Sequence, residues 1–183
     1  MATRQEGVSP HNHPVASKRS VTLPGIFLGL GLGGFADGIL LHQVLQWHHL
    51  RTGDSTLGNR SMKTIGGLEA NTLADGMFHV ATWALTVIGL FWLWSIVRES
   101  DGMHSWSELI GLVLAGWGIF NVVEGVVDHH ILGIHHVRDD IGAPLGWDLG
   151  FLAFGAVLVA VGFGLYRRHA IPKFARGRSM WDV

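Results

Sequence analysis

The sequence predicts an all-α polytopic membrane protein, a four-transmembrane-helix up-down bundle made of two repeated helical hairpins. Hydrophobic residues make up 48% of the chain and charged residues 15%, and the apolar positions fall into four long runs instead of alternating with charge, the pattern of membrane-spanning helices. Short polar connections separate the runs, so consecutive helices are antiparallel neighbours. One block also occurs twice: Asp37 to His49 reads DGILLHQVLQWHH and Glu124 to His136 reads EGVVDHHILGIHH. At a constant offset of 87 positions both spell acid, Gly, three residues, His, five residues, His-His, and Gly31/Gly118 and Leu45/Leu132 coincide at the same offset. Duplication of a hairpin explains this more simply than chance.

Taken in order, residues 1–20 are polar and contain Pro10 and Pro14, a composition that buries no core and reads as a disordered cytoplasmic tail. His11 and His13 fall in it. The transmembrane domain covers 21–168. Its first span, about 23–49, is no cleaved signal peptide, because its apolar run starts only near Val21 and carries Asp37 and His42. Gly25, Gly29, Gly31, Gly33 and Gly34 weaken a helix in water but let membrane helices approach closely. A Gly, Ser and Thr-rich loop leads to span two, about 68–97, with Asn71, Asp75 and His79 early and Trp83, Trp92 and Trp94 later. Span three, about 107–136, holds Asn121, Glu124 and Asp128; Gly142 and Pro144 then end it. Span four, about 147–166, begins beside Asp148 and stops at Arg167 and Arg168, and 169–183 form a basic tail.

Up-down topology puts the end of span one, the start of span two, the end of span three and the start of span four at one side of the membrane, so potential ligands from four helices converge on one leaflet. Arg4, Lys18, Arg19, Arg98, Arg167, Arg168, Lys173, Arg176 and Arg178 lie on the opposite side, against Arg51, Arg60, Lys63 and Arg138 on this one. The positive-inside rule then makes both termini cytoplasmic and the His-rich face periplasmic or extracellular.

The formal net charge of -1 leaves no basic stripe for a nucleic-acid backbone. With no Cys there is neither a disulfide scaffold nor a thiolate metal site, and twelve His stand out. At about 100° per helical residue, Asp37 shares a face with His48 and Glu124 with His135, while His42 with His49 and His129 with His136 make a second stripe. Counting along the helices puts His42, Asp128 and His79, the last eight residues after Asn71, in an inner layer roughly 10 to 12 Å below the helix ends, with His48, His49, His135 and His136 outside it and Asp37 and Glu124 deeper. Interfacial histidines and helix caps are the bland alternative; it requires many buried polar groups without partners, which is unfavourable. Transition-metal binding is the better reading. The candidate ligands are His42, His48, His49, Asp75, His79, Asp128, His129, His135 and His136. Asp37, Glu124, Asn71, Asn121 and Asp148 are additional ligands or partners that orient the rings, Asp148 being equally well an N-cap. So many His suggest two or more ions; copper or iron is favoured and zinc is possible. His130 points away from both stripes, and His104 and His169 fall at the opposite side.

The GGFADGILLHQVLQWHH, LADGMFH and NVVEGVVDHHILGIHHVRDD blocks together resemble an uncharacterised family of bacterial four-helix membrane proteins, catalogued as domain of unknown function 2243, over about residues 22–168. That resemblance implies the four-span architecture and a bacterial inner-membrane location, with no activity attached. More loosely, the chain resembles His-box membrane oxygenases, which also gather about eight His around two metals, but HxxxxxHH and DHHxxxxHH replace their HxxxH and HxxHH spacings and the expected face is outward. Asp75 and His79 match the short D-x-x-x-H spacing of the particulate methane monooxygenase copper site.

Three functions compete. An oxidoreductase activating oxygen or another small molecule at a multinuclear centre accounts for the number of ligands and their partial burial. Metal handling, the binding and delivery of copper or zinc, accounts for a funnel of His toward an outer opening. Haem held between His pairs ranks third, since haem needs none of the acids. No nucleophile motif suggests a hydrolase. The expected partners are the lipid bilayer and a small-molecule substrate or a metal donor or acceptor protein, with homo-oligomerisation left open.

Overall fold

A backbone inside a bilayer must satisfy its own polar groups, and this chain does so with helices alone. The computed structural model describes residues 19–53, 64–100 and 104–170, the side chains of 169 and 170 excepted. Residues 1–18 and 171–183 of the expected tails, His11 and His13 among them, lie outside the described residues, as do Arg60 and Lys63. Four helices follow in order: α1 (Thr22–Asp37), α2 (Ile65–Arg98), α3 (Trp106–Glu124) and α4 (Leu145–Ala170). Thr64 caps α2 by accepting from Gly67 N at 3.2 Å, and Ser105 caps α3 by accepting from Ser107 N at 3.2 Å. α1 and α3 continue without a break into one π-helical stretch each, Gly38–Val44 and Gly125–Ile131. With those stretches, the segments long and apolar enough to cross a membrane are Thr22–Val44, Ile65–Arg98, Trp106–Ile131 and Leu145–Arg168.

The expectation of regular helix to His49 and His136 is therefore corrected. Leu45 N bonds Leu40 O and Leu132 N bonds Val127 O, both at 2.8 Å; Trp47 N then reaches Leu41 O at 2.9 Å and Ile134 N reaches Asp128 O at 3.0 Å. These i→i−5 and i→i−6 bonds widen the last turn until it uncoils. The chain then reverses through left-handed positions at Gln46 (φ 49°) and Gly133 (φ 59°), which occupy the same place in the two repeats. A Gly there costs no strain, whereas Gln does.

The repeat is a two-fold arrangement in space. α1 and α3 are the inner pair, with 44% of their most apolar stretch buried against 17% for α2 and 11% for α4. α2 packs on α1 and α4 on α3, each outside the pair. Equivalent residues meet at the axis: a Cβ added to Gly29 would press on the Val113 carbonyl and lie 2.8 Å from Gly116 Cα, and one on Gly116 would press on the Ile26 carbonyl and lie 2.9 Å from Gly29 Cα. The flanking helices obey the symmetry at an offset of 73. Gly31 lies against Thr82 and Thr86 of α2, Gly118 against Gly155 and Val159 of α4; Gly89 meets Leu28, and Gly162 meets Ala115. The offset differs because the His pair precedes its partner aspartate by 26 residues in the first repeat and by 12 in the second.

Candidate functional site

Five residues separate Asp37 from His42 and Glu124 from His129, a spacing that an α-helix turns to different faces and an i→i−5 turn stacks. Each π-helical stretch follows its acid directly. Asp37 Oδ2 accordingly lies 3.3 Å from His42 Nε2. The reversed chain after each stretch swings the His pair inward, so that His48 and His135 stack across the two-fold axis with ring centroids 4.6 Å apart and planes 9° apart. His42 sits edge-on to His48 at 4.5 Å, and its repeat mate His129 edge-on to His135 at 4.8 Å. All four rings are buried to 2% exposure or less, with Asp37 at 7% and Glu124 at 4%.

An equally symmetric outer ring of hydrogen bonds holds these imidazoles. Asp75 of α2 accepts from His42 Nδ1 (3.0 Å), His49 Nδ1 (2.5 Å), Leu50 N (2.8 Å) and Gln43 Nε2 (3.2 Å). Asp148 of α4 accepts from the equivalent His136 Nδ1 (2.7 Å) and Val137 N (2.9 Å), and lies 3.5 Å from His129 Nδ1. His48 Nδ1 donates to Val137 O at 3.0 Å and His135 Nδ1 to Leu50 O at 3.2 Å, two equivalent bonds that cross the axis. Gly53 N to Ile134 O and Asp140 N to Trp47 O do the same, and Thr52 Oγ1 donates to its mate Asp139. Carboxylates and carbonyls only accept, so His42, His48 and His135 carry a proton on Nδ1; Nε2 of His48 and of His135 turns inward bare, and Nε2 of His42 faces Asp37 Oδ2 at 3.3 Å.

Among the described residues the protein answers those inward atoms only with long contacts, such as Asp37 Oδ2 at 3.3 Å from His42 Nε2 and Glu124 Oε1 at 3.6 Å from His135 Nε2. Nε2 of His42, His48 and His135, both ring nitrogens of His129, Asp37 Oδ2 and both Glu124 oxygens are buried without a hydrogen-bond partner. Three overlapping groups bring one candidate donor atom per residue within 4.8 Å of each other: His42/His48/His135, Glu124/His129/His135 and Asp37/His42/Glu124. Imidazole Nε2 and carboxylate oxygen at such separations are what a transition-metal ion uses.

Six of the sequence-expected residues are thus the inner site: Asp37, His42, His48, Glu124, His129 and His135. His48 and His135 belong to it and not to an outer layer, because the chain folds back. His49, His136, Asp75 and Asp148 form the outer ring, and Asp148, three residues into α4, acts as a clamp and not a cap. The structure does not bring in Asp128, which is half-buried, or His79, whose Nδ1 donates to Asp75 O at 2.7 Å within its own helix. Asn71 instead fastens the loop, accepting from Arg51 N at 3.1 Å and donating to Gly67 O at 3.0 Å. Asn121 is buried beside the site with its Oδ1 unpartnered. Sequence reasoning missed Phe78, stacked on His42 at 5.5 Å, and Phe151, 5.3 Å from His129; aligning α2 with α4 at offset 73 exposes both.

Residues 24–169 match a family described as a predicted membrane protein, DUF2243. The chain belongs to this family. No curated protein and no solved structure matches it. For a DUF2243 chain the spatial two-fold is therefore informative in its own right, since it assigns every member of the inner site a counterpart.

Burial pushes the His48 imidazole down to about 3, helped by the neighbouring His42, and pushes His135 well below its usual range, helped by His48. These folded-state values lie below the unfolded one, so the unfolded chain binds the proton first. In metal-free protein the contribution of His48 is whole above pH 6.5 and is lost as pH falls from there toward 3, and that of His135 is lost in the same direction. The thermal midpoint of chelator-treated protein is expected to drop between pH 7 and pH 5, and the drop to shrink in His48→Gln. A flat profile over that window would contradict neutral, buried rings.

Proposed function

We propose that this chain is an integral membrane metalloprotein of the bacterial plasma membrane. Its His/carboxylate centre holds two transition-metal ions, copper or iron, and it works as an oxidoreductase on oxygen or another small molecule. The termini are cytoplasmic and the centre faces the periplasmic or extracellular side. One observation carries the reading: the inner site gathers buried imidazole nitrogens and carboxyl oxygens that have no hydrogen-bond partner of good geometry. Leaving so many buried acceptors unpaired costs about 1–3 kcal/mol each, and a cation relieves all of them together. Divalent ions would also bring positive charge to a site flanked by four carboxyl groups, Asp37, Asp75, Glu124 and Asp148, each buried to 7% exposure or less.

Catalysis is favoured over metal delivery because the four inner rings are buried and three of them, His42, His48 and His135, are held by a hydrogen bond at Nδ1. A site that passes ions on needs ligands that can reach a donor or acceptor. Of the His pairs only His136 retains an exposed edge, with 31% of its side chain accessible. A preorganised, water-poor site suits a resident centre.

Purification in mild detergent, elemental analysis and an optical spectrum test this. We expect about two copper or iron ions per chain, lost in His42→Ala/His129→Ala, as the nitrogen donors to such metals are removed. Exchangeable zinc would favour handling and a Soret band would favour haem. No metal under any loading condition would return these histidines to a structural role.

A further inference from the structure

We infer that the apolar cavity beside the inner site is a binding pocket for an uncharged, lipid-soluble molecule with a hydroxyl group on a flat aromatic body, a phenol or hydroquinone. The cavity has a volume of about 510 Å³, inside the range of small-molecule sites. It occupies the cleft that arises because α1 and α4 pack on α3 and not on each other. Trp117 and Asn121 of α3 form its floor, Ala36 and Leu40 one wall, Gly150 and Phe154 the other. Leu40 and Phe154 are half exposed on the bilayer side. On the aqueous side Trp47 and Trp147 close edge to face at 5.2 Å, and the Arg138 guanidinium caps both at 4.4 and 5.1 Å. Entry is therefore from the lipid.

The polar groups on the lining define what fits. Asp37, shared with the inner site, and Asn121 both line the cavity, and each has a buried oxygen without a hydrogen-bond partner. A hydroxyl can pair with the carboxyl or amide group of these two lining residues, whereas a plain hydrocarbon offers them no partner. Indole and phenyl walls favour a flat ring over a flexible chain. That this ligand is the substrate of the centre rests on the proposed function; its binding does not.

A decyl-tailed hydroquinone, kept under argon, tests the pocket by calorimetric titration into protein in lipid nanodiscs, with empty nanodiscs as the blank. The wild-type chain is expected to bind it, its dimethyl ether at least tenfold more weakly. Gly150→Leu fills the cavity from a position where an added Cβ meets nothing within 4 Å. That variant is expected to lose at least tenfold in affinity while its thermal midpoint and metal content stay put, and Asn121→Leu to lose the preference over the ether. Equal binding of the ether, or wild-type affinity in Gly150→Leu, would overturn the pocket. Hydroquinone binding by a chain that takes up no metal would support the pocket and count against the metal reading alone; metal uptake without binding would do the reverse.

Discussion

Gly29→Ala and Gly116→Ala are each expected to abolish the folded bundle, a larger effect than at any other glycine. In a bilayer, helices gain little from hiding apolar surface from lipid that is equally apolar, so the inner pair is held by close backbone packing. The added methyl would press on the carbonyl of Val113 or Ile26 and sit within 3 Å of the facing glycine's Cα. Neither obstacle is a flexible side-chain tip, so the helices must separate. Separation at the axis also pulls apart His48 and His135, whose Nδ1 bonds cross to the opposite repeat. We expect destabilisation of about 4 kcal/mol or more, the range of severe core disruptions, read as loss of monodisperse protein in detergent. Gly76→Ala is the control, because a Cβ there meets nothing within 4 Å; its midpoint should hold or rise. A Gly29→Ala protein with a wild-type midpoint would mean that α1 and α3 do not meet where the structure puts them.

Much of this arrangement was legible because bilayer physics and duplication leave coarse marks. Runs of apolar residues gave the spans, and the repeated acid-Gly-His-HisHis block pointed to one leaflet and to most of the site. The pairing of Glu124 with His135 was read correctly, though for the wrong reason: they lie 3.6 Å apart because the chain doubles back, not because one helix face carries both. A constant 100° advance cannot anticipate an i→i−5 turn, so Asp37 was matched with His48 and not with His42. Gly133 was the available stop signal, but its mate Gln46 carries no such mark. The symmetry of the flanking helices was hidden by the different lengths of connection ahead of Asp75 and Asp148, which broke the offset of 87. The cavity was not readable at all, since it depends on which helices fail to touch.

On the proposed two-ion centre, Asp75→Asn is expected to weaken one metal ion by 10- to 100-fold and leave the other in place, so that the stoichiometry falls from two toward one at limiting metal. The argument rests on the division of labour between the two clamps. Asp75 serves His42, His49 and Leu50 N, all of the first repeat, and Asp148 serves His136 and Val137 N of the second, with His129 Nδ1 3.5 Å away. Asparagine keeps one acceptor but aims an amide N–H at a second donor, releasing an imidazole Nδ1 from the bond that fixes its ring and raises its basicity. Loss of such a partner typically costs 10- to 100-fold in metal affinity. His129, Glu124 and His135 form a group that does not include His42, although Glu124 and His135 each also belong to a group that does, and the second-repeat bonds to Asp148 are untouched. Asp148→Asn should then give the mirror result with the smaller loss, because Asp148 stands 3.5 Å from His129 Nδ1 where Asp75 stands 3.0 Å from His42 Nδ1. Metal titrations of the two variants and of the double variant decide it. If either single change empties both positions together, the ions share one indivisible cage around His48 and His135, and the half-site description is wrong.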